Sequence, residues 1–205
     1  MNEELKNILN KVRCLYLKYG IKSVTMDDVA RELGMSKKTL YQYVKDKNEL
    51  VSLVMDLEIE SHQCFSEKIH AMNLSAIDEV LEIHKQVNRM IKERNPSQEY
   101  DLRKYYPEQY QKIMQVSRER IYNNIRDNIR KGKEEGVYRA EVNEEIIAKV
   151  QLMRLENSVF NEAFTVEEMT SPKFFLEIFV YHIRGIANEK GIKELESKLK
   201  LLENN

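Results

Sequence analysis

Between Val24 and Leu40 the sequence carries two helix starts with almost no chain to separate them, and this spacing constrains the fold more than any other feature. Thr25 is placed as an N-cap with Asp28 three residues on, and Val24 and Val29 stand at hydrophobic-staple spacing. The run "VTMDDVARELG" therefore predicts a short helix that Gly34 ends. Ser36 follows after only Gly34 and Met35. It is a second N-cap, with Met35 and Leu40 again at staple spacing, so another short helix must begin at once. Two short helices joined by a turn this tight, with glycine in it, form a helix-turn-helix.

The flanking sequence supplies the helices such a motif packs on. Leu5, Ile8, Leu9, Val12, Leu15, Tyr16 and Tyr19 recur at steps of three and four, one face of an amphipathic helix stopped by Gly20. Asp46 caps a longer helix, with Glu49 at the capping-box position and Leu50, Leu53, Val54, Leu57, Phe65 and Ile69 on its buried side. Further helical runs begin at Ser75 and at Pro107, the latter expected to break at Gly132 and Gly136. Asn143 caps "EEIIAKVQLMRLENSVFNEAF", Ser171 with Pro172 opens "KFFLEIFVYHIRGIA", and Leu195, Leu199 and Leu202 line a final short helix. With 6 Gly, 3 Pro and no strand pattern, the fold class is all-α. The expected organisation is an N-terminal three-helix domain with the helix-turn-helix at 1–47 and a larger C-terminal helical domain at 48–205.

Charge is unevenly placed. Residues 1–50 hold ten Lys and Arg against seven Asp and Glu, a net +3, which leaves −4 for the rest of a chain whose total is −1. No apolar run approaches the roughly 18 residues of a membrane span, and the charged N-terminus does not read as a signal peptide. Cys14 and Cys64 lie fifty positions apart without C-x-x-C spacing, so neither a disulfide framework nor a zinc site is expected, and a cytoplasmic location fits. His62, His70, His84 and His182 are scattered and no nucleophile, metallohydrolase or phosphate-loop motif occurs. The chain therefore reads as a non-enzyme without cofactor or metal.

The charge excess centres on "GMSKKTLYQYVKDK", residues 34 to 47, with four lysines, two tyrosines and one acid. A helix starting at Ser36 puts Lys37, Lys38 and Thr39 in its first turn, where free amides and the positive end of the dipole also point. Leu40 and Val44 then face inward, while Tyr41, Gln42, Tyr43 and Lys47 can project outward. Lysine and tyrosine suit DNA phosphates, and Gln42 has the chemistry to read a base edge, adenine being its usual bidentate partner. For Tyr41 and Tyr43, packing between helices is the other reading. Arg13, Lys18 and Lys22 read as solvated charges.

The run from Leu15 to Leu50 resembles the DNA-binding domain of the TetR family of bacterial transcriptional regulators (TetR/AcrR type). Tyr19 and Gly20, Thr25, Val29 and Ala30, Gly34, Ser36, Leu40 and Tyr41, Tyr43 and Lys47 match its pattern in order. Val44, where the family usually has Phe, and Val12 and Arg13, where small residues are common, depart from it. The resemblance implies that Thr25, Tyr41, Tyr43 and Lys47 hold phosphates, while Lys37, Lys38, Thr39 and Gln42 face bases or neighbouring phosphates; Ser36, the N-cap of this helix, is counted with them as a DNA-binding residue. Which of these read sequence stays open. It further implies a ligand-responsive repressor that binds a palindromic double-stranded DNA operator as a homodimer and is released by a small-molecule effector. The alternative is a helical sensor or protein-interaction module of the same fold without operator binding.

The segments at 143–164 and 172–187 are apolar on more than one side, which suggests a partner, and the family pairs two such helices with their symmetry mates. For the effector, whose identity the sequence does not give, His62, Phe65, Tyr110, Met114 and Asn157 are the candidate pocket residues, from a wider set that includes Tyr100 and Tyr105.

Overall fold

The structure, a computed structural model, describes residues 2–203 except 94, 159–163, 166, 169 and 170. It is all-α. Ten helices lie among the described residues: α1 (Glu3–Tyr19), α2 (Met26–Glu32), α3 (Lys37–Leu40), α4 (Lys47–Ala71), α5 (Ala76–Glu93), α6 (Pro96–Tyr105), α7 (Pro107–Glu134), α8 (Glu144–Ser158), α9 (Pro172–Ile186) and α10 (Glu189–Glu203). No helix among the described residues is long and apolar enough to cross a membrane.

The chain forms two compact units, and they do not follow its linear order. The first joins Met1–Phe65 to Glu93–Ser117, and so takes in α1 to α3, most of α4, α6 and the start of α7. Local capping sets its short helices. The Asn2 side chain accepts from Leu5 N–H to start α1, and the Gly20 N–H donates to the Tyr16 carbonyl to end it. Thr25 and Asp28 form the reciprocal capping box expected of α2. Gly34, at φ 66°, takes the left-handed conformation that lets Ser36 cap α3 two residues later. At α4, Asp46 accepts from Glu49 N–H at 2.9 Å as expected, but Glu49 reaches back to Lys45 N–H at 2.6 Å instead of to the cap residue itself.

These helices close over Leu9, Val12, Tyr16, Ile21, Val29, Leu40, Val44, Leu50, Val51 and Val54, all buried. Leu102 of α6 is buried in the same core, and Tyr106, Tyr110 and Ile113 pack against it.

The second unit, Ser66–Lys92 with Arg118–Asn205, has its own core of Ile77, Val80, Leu81, Ile129, Tyr138, Phe179, Val180, Ile183, Ile186 and Leu195. Asn143 accepts from Ile146 N–H at 3.0 Å to start α8, and Ser171 from Phe174 N–H at 3.2 Å to start α9. The part of the expected α8 run over 159–163 lies outside the described residues. Gly132 does not break α7. The helix runs on to Glu134, and Gly132 is buried where a Cβ would stand 2.0 Å from the Tyr138 ring, so this glycine serves close packing instead of termination. The buried Glu79 carboxylate is met by His70 Nδ1 at 2.9 Å, Asn128 Nδ2 at 3.1 Å and Lys131 Nζ at 3.3 Å, the pairing that a buried charge requires.

Candidate nucleic-acid interface

The helix-turn-helix presents its polar groups from a rigid base. Thr25 is exposed at the start of α2, where its hydroxyl donates to Asp28 Oδ2 at 2.6 Å and accepts the Asp28 N–H at 3.2 Å. The Thr25 hydroxyl and the Thr25 N–H, the latter at 3.0 Å, both donate to Asp28 Oδ2 and hold that carboxyl below the usual range. Ser36 caps α3 by accepting the Thr39 N–H at 3.0 Å, and its Oγ lies 2.7 Å from Thr39 Oγ1. The helix proper is only four residues. Past Leu40 the backbone tightens, with Gln42 N–H donating to Thr39 and Tyr43 N–H to Leu40, each at 3.0 Å. Leu40 and Val44 anchor this turn in the core.

The outward groups divide into held and free. Lys37 Nζ lies 3.0 Å from Asp27 Oδ2 on α2, a pair that raises the lysine pKa. Lys38, Tyr41 and Gln42 are exposed, Lys38 on α3 and Tyr41 and Gln42 on the turn that follows it. Tyr43 is half-buried against the core, with its pKa raised chiefly by a hydrogen bond to Glu4 of α1. Lys47 is half-buried. Its Nζ donates to the Lys22 carbonyl at 3.2 Å, and burial lowers its pKa against the opposing pull of Asp101 and Asp28. Thr25, Ser36, Lys37, Lys38, Thr39, Tyr41, Gln42, Tyr43 and Lys47 thus fall on one compact unit, around one turn.

Two charges read as solvated from sequence are engaged. Arg13 pairs with Glu58 of α4. Lys22 donates its N–H to Asp101 Oδ2 at 2.7 Å and its Nζ to the Tyr105 hydroxyl at 2.7 Å. Lys18 is exposed and lies over the Tyr19 ring. The tyrosines Tyr100 and Tyr105 are 50% and 39% exposed on α6, beside the α1–α2 loop. The available sequence signal was the run "YDLRKYY", which places Tyr100 and Lys104 one turn apart.

Of the pocket candidates, His62 and Phe65 are half-buried on α4, Tyr110 is half-buried against the N-terminal core, and Met114 is 37% exposed on α7. The side chain of Asn157 lies outside the described residues. On α8, Ile146, Val150 and Met153 are 58%, 49% and 56% exposed at steps of four and three, and Tyr181 on α9 is 73% exposed. Arg154 ties the two helices together, donating to the Ile178 carbonyl at 3.2 Å and lying over the Tyr181 ring.

A capped α2, a four-residue turn onto α3, and exposed lysine, glutamine and tyrosine over a buried leucine define a helix-turn-helix DNA-binding domain. Residues 8–54 match the family model described as bacterial regulatory proteins, tetR family. A transcriptional regulator from Cytophaga hutchinsonii shares the fold with a TM-score of 0.75 at 16% identity, over 91% of this chain and 100% of that one. A TetR transcription regulator from Haloarcula marismortui aligns with a TM-score of 0.65 at 16% identity, over 92% and 100%. A TetR-family regulator from Agrobacterium tumefaciens gives 0.66 at 12%, over 90% and 97%. Comparison with curated protein sequences gave no significant match. Residues 8–54 are thus a DNA-binding domain of the tetR family of bacterial regulatory proteins, and the chain as a whole shares the fold of such regulators.

Proposed function

We propose that this regulator is a ligand-responsive repressor that binds a palindromic operator as a homodimer in the cytoplasm and leaves it when a small-molecule effector binds. The functional division follows the sequence, with residues 1–47 for DNA and 48–205 for effector binding and dimerisation. The observation that carries the DNA-binding role is the array of exposed Lys38, Tyr41 and Gln42 beside the capping hydroxyls of Thr25 and Ser36, fixed by buried Leu40 and Val44. Lys38 and Tyr41 have the reach for phosphates, and Gln42 the bidentate amide for a base edge.

The exposed apolar stripe of α8 with Tyr181 of α9 supports dimerisation, since large apolar groups grouped on one face favour a dry partner. A two-fold dimer would set two recognition helices about 34 Å apart, one DNA turn. An effector that favours wider separation would move them out of register with successive grooves. His62, Phe65, Tyr110, Met114 and Asn157 are its proposed contacts. Selecting bound fragments from random DNA tests the reading: inverted half-sites spaced by one helical turn or slightly more are expected, and fragments without any shared sequence would refute it.

A further inference from the structure

We propose that α6 extends the DNA-binding surface, with Lys22 and Lys104 holding backbone phosphates outside the reach of the helix-turn-helix. The proposal rests on the DNA-binding reading above. Ser97, Tyr100, Asp101, Lys104 and Tyr105 recur at i, i+3, i+4, i+7 and i+8, so they share one face of α6, while Leu102 is turned into the core. That polar face meets the loop that leads into α2. Lys22 Nζ donates to the Tyr105 hydroxyl at 2.7 Å and lies 4.6 Å from its ring centre. Lys104 Nζ donates to the Tyr100 hydroxyl at 2.9 Å and lies within 5.4 Å of both the Tyr100 and Tyr105 ring centres.

This lysine and tyrosine cluster adjoins the residues assigned to phosphates. Lys22 is three positions before Thr25, and its carbonyl receives the Lys47 ammonium at 3.2 Å. Its environment is electropositive: the hydrogen bond from Lys22, with the Lys104 charge nearby, lowers the Tyr105 pKa. The acid on this face, Asp101, is buried, accepts the Lys22 N–H at 2.7 Å and acts on Lys47 and Tyr106, so it offsets one of the two ammonium charges and leaves the Lys22, Lys104 and Asp101 group at net +1. Asn95, just before α6, donates to the Leu17 carbonyl at 2.8 Å, so the helix is pinned at both ends to α1 and its loop. Between them runs an open groove of about 420 Å³, lined by Tyr19, Lys22, Ser23, Ser97, Tyr100 and Asp101. Exposed ammonium groups braced by phenol hydroxyls, beside a hydroxyl-lined groove, match the chemistry of a sugar-phosphate backbone and carry no means of reading bases.

The test measures affinity of the full chain for its selected operator and for random duplex over a range of salt. Lys104→Gln should weaken both roughly equally, by roughly 3- to 10-fold, and reduce the slope of log K against log salt by about 1. Lys22→Gln combined with Lys104→Gln should reduce it by about 2. Lys104→Arg should restore wild-type values, and Lys193→Gln, an exposed charge on α10, should leave them unchanged. Wild-type affinity and slope in Lys104→Gln would overturn the proposal. So would a loss confined to the operator with an unchanged slope and a lower melting temperature, which marks a structural role. A wild-type chain that binds no duplex removes the DNA-binding reading itself, and this proposal with it.

Discussion

The helix-turn-helix and the α8–α9 pair both expose residues that their own cores leave out, but of opposite kinds. Around α3 the exposed groups are lysine, glutamine and tyrosine, each standing on a buried leucine or valine. Along α8 they are Ile146, Val150 and Met153, with Tyr181 beside them on α9. The first surface suits a charged, hydrated partner whose attraction weakens with salt, and the second a dry partner indifferent to it. One chain thus carries two recognition chemistries that can be broken separately.

The largest separation should come from Leu40→Ala. It removes a fully buried side chain under the recognition turn and should cost about 2–5 kcal/mol of stability. Chemical denaturation should show the loss, with DNA binding falling at temperatures where the second unit's helices persist. Val150→Glu attacks the other surface. A carboxylate placed in a dry interface should weaken self-association by about 100-fold, roughly 3 kcal/mol, without lowering the melting temperature of the monomer. Sedimentation at several concentrations measures this, and an unchanged dimer would remove α8 from the interface.

A pH titration probes the interior of the same helix pair. Burial, with Arg154 nearby, pulls the His182 pKa down to about 4. The unfolded chain takes up this proton near 6.5 and the folded chain near 4, so the unfolded state holds more protons between those values. Stability should be undiminished above about pH 6.5 and fall toward pH 4 by up to about 3 kcal/mol, and His182→Gln should flatten that part of the profile. The smallest effect concerns selectivity. If Gln42 contacts a base bidentately, Gln42→Ala should cost roughly 1–3 kcal/mol on the operator and relax preference at one position of each half-site. Equal loss on operator and random DNA would assign Gln42 to the backbone instead.

The sequence revealed these regions unevenly, for a physical reason. Thr25 with Asp28, Ser36 with Thr39 and Asp46 with Glu49 interact across three residues, so their caps leave a local pattern that can be read without knowing the fold. The attachment of α6 does not. Lys22 to Asp101, Leu17 to Asn95 and Lys22 to Tyr105 are separated by 79, 78 and 83 positions, and nothing near either partner announces the other. Tyr100 and Tyr105 therefore read as pocket aromatics, and Lys22 as a solvated charge, until the fold brings them together. Gly132 misled for a related reason. A glycine in a helical run reads as a stop, but here the space it leaves is filled by Tyr138, six residues later and past the end of the helix.

The central claim is that the turn around Ser36 to Lys47 places this chain on specific DNA. Equilibrium binding of the intact protein to its selected operator and to a scrambled duplex, followed by fluorescence anisotropy over 50–200 mM salt (about the range where phosphate contacts dominate), tests it most directly. The expected result is preference for the operator by at least about 10³-fold, with log K falling linearly in log salt by roughly 0.9 for each phosphate held. Equal affinity for both duplexes, or binding that salt does not weaken, would contradict it.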